Sequence, residues 1–361
     1  MKNLKQRPPD MPARIPFLTS GSDLPANTEL SIFGAGTLGL SLVRTLQRDR
    51  KDITIRSFVD SNKTGTLNNI PVLNPEIFFK RTEKDHLVVV ATHFWLREVL
   101  AMLQDHGFGN IIISAIIPEE TREYSEVPDK HLQEIRTIEK KLADPRSKMV
   151  WQAVIQGMRG DMSSLLQMFL TSPGRQYLDH VILKKKNTVI EGGMFDGTNT
   201  RQFAEIVGPE GKVIAFDPLP AHIPDLPPQV IVENMALWKE TTTLYLLEEG
   251  AGSTVSSSQA GNAKPVRAVD LDSYLEGQGA DYIKLDVEGA EMEVLQGAAE
   301  TIRKYRPQLA VSIYHSPQDF IQVPLKIFSI CTGYLFFLES YSPSMGDKIL
   351  IAIPEEKALK T

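Results

Sequence analysis

A ten-residue stretch near the middle of the chain, TVIEGGMFDG (188–197), constrains the fold most. Thr188, Val189 and Ile190 are β-branched, the character of a strand. They run into Glu191, then Gly193 and Gly197, and then a stretch with Phe203 and Ile206 on one helical face. A strand that ends in an acid and turns through glycines into a helix forms a nucleotide-cofactor site. Glycine lets the backbone approach a ligand, and the helix N-terminus presents unpaired N–H groups. The spacing, acid-x-Gly-x-x-x-Gly, is not the G-x-G-x-x-G of a dinucleotide fingerprint. Twenty residues after Gly197 a second strand, KVIAFDP, ends in Asp217. An acid at that place suits the two hydroxyls of a ribose. A strand-turn-helix without a ligand has no need of it.

The 361 residues are enough for two domains, since one takes roughly 100–200. The net charge of -6 argues against a dedicated nucleic-acid binder, which would show a basic surface. Cys331 is the single cysteine, which excludes an internal disulfide and a cysteine-rich metal site. The opening MKNLKQRPPDMPARIPF is basic and proline-rich without the apolar core of a signal peptide, and no apolar run reaches membrane-spanning length. The expectation is a cytoplasmic protein with neither a nucleic-acid nor a membrane partner.

Residues 1–28 read as an N-terminal tail, with prolines and charges but no periodic pattern. Residues 29–117 read as a Rossmann-like α/β domain. The strand Leu30–Phe33 leads into GAGTLG, and Leu38, Leu42 and Leu46 mark the helix that follows. A second strand ends in Asp60, and 87–91 and 111–113 are two more buried strands. Gly34, Gly36, Gly39 and Asp60 are thus candidates for a nucleotide site. The same glycines also serve close helix–strand packing, so both readings stand. The run FVDSNKTGTLNNIPVLNPE (58–76) resembles the small N-terminal domain of bacterial sugar-modifying enzymes. That resemblance implies a nucleotide or nucleotide-sugar ligand.

Residues 118–180 read as a helical connector, with apolar stripes at Leu132, Ile135, Ile138 and Leu142, and at Trp151, Val154, Ile155 and Met158. Packing explains these stripes better than a cofactor does. The second domain, 181–361, alternates strand and helix. Its strands include 230–232, 244–247, 266–269, 282–285 and 309–314, and two last ones at 334–338 and 349–353 form a closing hairpin. The loop 248–264 is Gly- and Ser-rich and reads as mobile. The fold class is α/β, with two doubly wound domains.

Three stretches of the second domain, VIEGGMFDGTNT, DLDSYL and DYIKLDVEGAEMEVLQGA, resemble the FkbM family of S-adenosylmethionine-dependent methyltransferases. The third carries the order Lys-x-Asp-x-Glu-Gly-x-Glu. The resemblance implies a SAM-methyltransferase fold and methyl transfer to a hydroxyl of a small molecule or sugar. It also implies that Glu191, Gly193, Gly197 and Asp217 lie at the cofactor. Glu191 stands where the family more often has Asp, and Met194 where a small residue is usual. LESYSP (338–343) lacks an Arg-His pair found in related members, which leaves the acceptor open.

Methyl transfer from a sulfonium needs acceptor, methyl and sulfur in line, and a place for the hydroxyl proton to go. Asp286 and His315 end successive strands, and Glu288 and Glu291 follow Asp286. His315, with an ordinary pKa near 6.5, is the expected general base. Asp286 and Glu288 complete the catalytic candidates, although acids there also suit a helix N-terminus. Lys284 is expected to pair structurally with a carboxylate. Asn234 and Trp238 follow the third strand, where an adenine would lie; Asn234 suits its edge, and Trp238 offers a stacking face or reads as core. Asp270 or Asp272 caps the short helix after it. No metal ligands are assigned, but carboxylates with one imidazole are a set that Mg²⁺ or Mn²⁺ accepts. Two other functions fit parts of the pattern. One is an NAD(P)-dependent oxidoreductase built on GAGTLG and Asp60, and the other is a non-catalytic nucleotide- or sugar-binding protein.

Overall fold

The computed structural model describes residues 15–93, 95–116, 119–171, 174–219, 225–249, 252–258 and 261–358. The chain divides into two units, one from residues up to Ser125 with Gln156–Thr171, the other from Glu126–Ile155 with Ser172 onward.

In the first unit the strands are β1 (Phe17–Leu18), β2 (Glu29–Phe33), β3 (Thr54–Val59), β4 (Gly65–Leu67), β5 (Ile70–Leu73), β6 (Leu87–Val90) and β7 (Ile111–Ser114). They form one sheet in the order β1-β7-β6-β2-β3-β5-β4, parallel except for the β4–β5 hairpin. Helices α1 (Thr37–Asp49), α2 (Pro75–Arg81) and α3 (Leu96–Asp105) connect them. Leu42, Val43 and Leu46 of α1 are buried, as their spacing requires. The expected tail ends early, because Phe17–Leu18 adds an edge strand to β7. Arg50 holds that approach by donating to the carbonyls of Gly21, Leu24 and Pro25 while pairing with Asp52. Such backbone-directed contacts leave no hydrophobic period to read. Residues 1–14 of the expected tail lie outside the described residues.

The connector is divided between the units. Helices α4 (Val127–Lys130), α5 (Leu132–Lys141) and most of α6 (Pro145–Met158) go with the second, whereas the end of α6 and α7 (Ser163–Thr171) go with the first. Trp151 and Val154 are buried, and the Trp151 indole donates to the Ile135 carbonyl. The stripe is packing, as expected.

The second unit continues with β8 (Thr188–Gly192), α8 (Thr198–Val207), β9 (Lys212–Phe216), β10 (Val230–Glu233), β11 (Ala236–Leu237), β12 (Thr242–Glu249), β13 (Gly252–Ser256) and β14 (Lys264–Val269). Then follow α9 (Leu271–Tyr274), β15 (Tyr282–Leu285), α10 (Glu291–Gly297), α11 (Ala299–Tyr305), β16 (Gln308–Ser312), α12 (Asp319–Ile330), β17 (Tyr334–Ser340), β18 (Lys348–Pro354) and α13 (Glu355–Ala358). The main sheet has the order β10-β9-β8-β15-β16-β18-β17, with only β18 antiparallel to its neighbours. The chain runs outward from β8 to β10, then returns to β15 on the other side of β8. Such a reversal opens a crevice at the carboxyl ends of the two strands. Glu191 lies in register with Lys284 there, and Gly192 with Leu285.

The segment 236–269 departs from expectation. It forms a separate sheet in the order β11-β14-β12-β13, and β13 occupies part of the stretch expected to be a mobile loop. The strand signal in GSTVS is weak; its order comes from pairing with β12. This sheet buries Ala236, Trp238, Leu244 and Ala268 against Ala290, with Val287 beside them. It is therefore seated on the loop that follows β15. Helices α10 and α11 meet at Ala298. A Cβ at Gly297 would lie 2.3 Å from the Trp238 carbonyl oxygen, so only glycine permits that approach.

Candidate active site

Glu191 ends β8 fully buried, 0% exposed. The Thr200 hydroxyl donates to its Oε2 at 2.6 Å, while Oε1 has no hydrogen-bond partner. Burial pushes its pKa up to about 7 against the opposing charge of Lys284. Gly193 has φ 79°, and a Cβ there would meet the Asp286 carbonyl oxygen at 1.8 Å. The close approach that demands glycine is therefore between two loops of the protein. Gly197, at φ 74°, caps α8.

Asp217 has a structural role beside the one its position implies. Its Oδ2 accepts from the Met194 and Phe195 N–H groups and its Oδ1 from that of Leu219. A carboxylate offers about four lone-pair positions, so one remains for a ribose hydroxyl. Asp217 first of all shapes the glycine loop. Asn234 lies exposed just past β10. Trp238 is core, as its sequence context indicated, and Asp270 is the N-cap of α9. Phe195 was not singled out by sequence. It is 78% exposed at φ 50°, an uncommon pairing for a bulky residue.

Across the crevice, Asp286 gathers the chemistry. Tyr177 donates to its Oδ2 at 2.8 Å; Ser312 and Tyr314 donate to Oδ1 at 2.7 and 3.1 Å. Lys284 donates to the Gly192 and Gly193 carbonyls and lies 3.9 Å from Asp286, so it bridges the two strand ends. Burial would raise the Asp286 pKa, but His315, Lys284 and Ser312 together hold it well below the usual carboxylate range. Tyr177 comes from the connector, 109 residues away; no local pattern could have revealed it. Tyr314 could have been found, since it alternates with Ser312 past the end of β16.

His315 lies three residues beyond β16 rather than at its end. Its Nδ1 is 3.0 Å from Glu291 Oε1, and its Nε2 is 3.4 Å from Asp286 Oδ1 and 3.6 Å from Glu288 Oε2. Burial would lower its pKa, but the Asp286 and Glu291 carboxylates outweigh that and push it up to about 10. These carboxylates favour the protonated ring. The surrounding acids, drawn together by the turn, stabilise the proton that the general-base role expected of His315 would require it to lack. Glu288 is half exposed, at φ 54° ahead of Gly289 at φ 95°, and that turn swings it toward the imidazole. Burial raises its pKa, and Asp286 and Glu291 add to the effect. Asp286, Glu291 and His315 place potential metal-ligand atoms within 4.8 Å of one another.

In the first unit the glycine fingerprint is mostly packing. A Cβ at Gly34 would lie 2.5 Å from the Ala91 oxygen, and one at Gly39 2.0 Å from the Gly34 oxygen. Gly36 alone has open space around it. Asp60 accepts from the N–H groups of Ala35, Asn62 and Lys63, and the Lys63 ammonium donates back to the Ala35 carbonyl. Its carboxylate closes its own loop.

Residues 191–349 match the methyltransferase FkbM domain. Among solved structures the chain is similar to methyltransferase FkbM from Methylobacillus flagellatus KT, with a TM-score of 0.60 and 16% identity over 91% of this chain and 90% of that one. At this identity the likeness is one of fold. Aeropyrum pernix fibrillarin, solved with natively bound S-adenosyl-L-methionine, matches at TM-score 0.31 and 11% identity over 47% of this chain and 67% of its own. Precorrin-6y C5,15-methyltransferase from Geobacter metallireducens GS-15 matches at TM-score 0.31 and 9% identity, over 54% and 87%. Comparison with curated protein sequences finds no significant match. No described helix is long and apolar enough to cross a membrane. The chain carries, over residues 191–349, a methyltransferase domain of the FkbM type.

Proposed function

We propose that this protein transfers the methyl group of S-adenosylmethionine to a hydroxyl oxygen of a small molecule or sugar. One observation carries the reading. Where the strand order reverses, Glu191, whose Oε1 is buried without a hydrogen bond, lies near the end of one strand, and Asp286, lined by hydroxyls and an imidazole, follows the neighbouring strand. An ammonium group satisfies Glu191, the remaining lone pair of Asp217 takes a ribose hydroxyl, and Asn234 offers an amide to an adenine edge. Gly193 and Gly197 keep the loop between them in shape. When bound, the cofactor supplies an electrophilic methyl whose bond to sulfur breaks with the electron pair left on sulfur.

The acceptor oxygen must lose its proton as it gains the methyl. Glu288 receives that proton, since it is the half-exposed acid of the cluster and its pKa is raised toward the working range. The positive charge held at His315 favours the developing alkoxide, and Asp286 orients the ring. Glu288→Gln is expected to lower transfer about 10²–10⁴-fold, the usual worth of a general base, with cofactor affinity nearly unchanged. The oxidoreductase alternative rests on Asp60, whose carboxylate, like that of Asp217, accepts three N–H groups and keeps one lone pair. A nucleotide phosphate or sugar in the first unit would have to approach at Gly36.

Calorimetry with S-adenosylhomocysteine tests the cofactor side. Asp217→Ala removes a charged acceptor worth about 1.5–3 kcal/mol, so a folded variant should bind at least tenfold more weakly. Methyl-labelled S-adenosylmethionine with catechol, glycoside and nucleotide-sugar acceptors tests the transfer, the expected product being a base-stable methyl ether. No binding of either cofactor form by the wild type would overturn the proposal, and binding without transfer to any acceptor would favour the non-catalytic reading.

A further inference from the structure

We propose that Asp286, Glu291 and His315 bind one divalent cation of the Mn²⁺ or Mg²⁺ class, and that the acceptor hydroxyl completes its coordination. The inference rests on the methyl-transfer reading only for its second half. The donors are two carboxylates and an imidazole, a mixed oxygen and nitrogen set that suits Mn²⁺ better than the softer thiolate metals. They converge, with all three ligand atoms within 4.8 Å. Glu291, at 1%, and the His315 side chain, at 9% exposure, are buried, and the Asp286 side chain is 23% exposed.

Convergence of acids alone would prove little. Here, however, Glu291 Oε2 is buried without a hydrogen bond, and the ring nitrogens of His315 meet only carboxylate oxygens, at 3.0 Å from Glu291 and 3.4 Å from Asp286, outside hydrogen-bond geometry. Buried polar atoms in folded proteins are nearly always paired. A buried carboxylate oxygen left unpaired beside two poorly aligned ring nitrogens marks a place built for a group that binds several of them together. The surroundings agree. Asp286 is oriented by the hydroxyls of Tyr177, Ser312 and Tyr314, and Glu291 Oε1 accepts from the Val287 N–H. Outer hydrogen bonds of this kind aim metal ligands and raise their affinity.

Charge points the same way. Asp286, Glu288 and Glu291 all lie within 3.6 Å of one imidazole. The next cation, Lys284, is 3.9 Å from Asp286 and bonded to the Gly192 and Gly193 carbonyls. A dication offsets three acids better than a proton does, and it keeps positive charge at the point where the alkoxide forms. Three protein ligands leave positions open in a six-coordinate ion, so an acceptor hydroxyl can bind directly and lose its proton to Glu288 more readily.

The test uses the full chain, stripped with chelator and free of cofactor and acceptor. Titration with Mn²⁺, read as loss of the free-ion electron paramagnetic resonance signal, is expected to show one saturable site. Glu291→Gln and His315→Gln should each weaken it at least about tenfold, the scale on which even outer-shell changes act, while an exposed acid outside the cluster, changed as Glu240→Gln, leaves it intact. Pulsed resonance on the loaded wild type should show nitrogen-14 coupling from the imidazole, and this arm stands even where a variant does not fold. Absence of a saturable site, unaltered affinity in both folded variants, or no nitrogen coupling overturns the proposal. None of these readouts involves S-adenosylmethionine, so they fail or succeed separately from the methyl-transfer reading.

Discussion

Asp286→Ala is expected to be the most damaging single change in the second unit. The side chain is the shared acceptor of Tyr177, Ser312 and Tyr314, and it lies 3.9 Å from Lys284 and 3.4 Å from His315. Removing one partner of a buried ion pair typically costs about 3–5 kcal/mol, because the remaining charge is left uncompensated. Denaturant unfolding at pH 7 should show a loss of that size. The sign of its pH dependence follows from the depressed folded-state pKa. The ionised carboxylate contributes stability above the unfolded value of 3.8, and that contribution fades as pH falls through the lower folded value. The gap between wild type and variant should therefore be full at neutral pH and narrow below about pH 3.8. Asp286→Asn, which keeps the volume and one acceptor, should lose less stability but still impair transfer, since the ring of His315 is no longer oriented. Equal unfolding midpoints for wild type and the alanine variant would mean that the cluster does not hold the strand ends together.

Glu191→Gln should act in opposite directions on stability and on binding. In the folded protein burial holds the Glu191 pKa at about 7, against 4.5 for the free side chain. The unfolded chain thus ionises first, and stability falls as pH rises from 4.5 to about 7. At roughly 1.4 kcal/mol per pKa unit the loss is on the order of 3 kcal/mol. Glutamine does not ionise, so the variant should match or fall short of wild type at pH 4.5, exceed it at pH 8, and show a flatter profile between. Its affinity for S-adenosylhomocysteine should nevertheless drop tenfold or more, because a neutral amide cannot meet an ammonium group as a carboxylate does. Urea unfolding at the two pH values and calorimetry at pH 8 measure both effects. The same pH slope in wild type and variant would show that Glu191 is already ionised in the fold, neutralised by Lys284.

Part of this site was legible before any coordinates. TVIEGGMFDG predicts a strand, a glycine turn and a helix, and β8 and α8 are where it places them. The run from Tyr282 to Gly289 predicts a buried strand with acids just beyond it, and the final two strands do pair as an antiparallel hairpin. These features are local. Periodicity of two or 3.6, glycine at a turn and an acid after a strand each depend on neighbours a few residues away.

Distance along the chain is what hid the rest. Asp217 was read as a ribose ligand from its place after β9; that it also holds the Met194 and Phe195 amides, 23 and 22 residues earlier in the chain, was not visible. Gly193 was read as making room for a ligand, and the Asp286 carbonyl takes that room instead. Helices 118–180 showed their apolar stripes but not which unit each would join, since a stripe records that a face is covered and not by what.

What the sequence determined by itself was the kind of fold and the identity of the acids and the imidazole at its carboxyl edge. Their protonation was decided only by tertiary structure. His315 is an ordinary histidine until Asp286, Glu288 and Glu291 stand within 3.6 Å of its ring, and Glu191 an ordinary carboxylate until the sheet excludes water from it. Charge energies depend on separation and on burial, and neither is encoded in the order of residues along a strand.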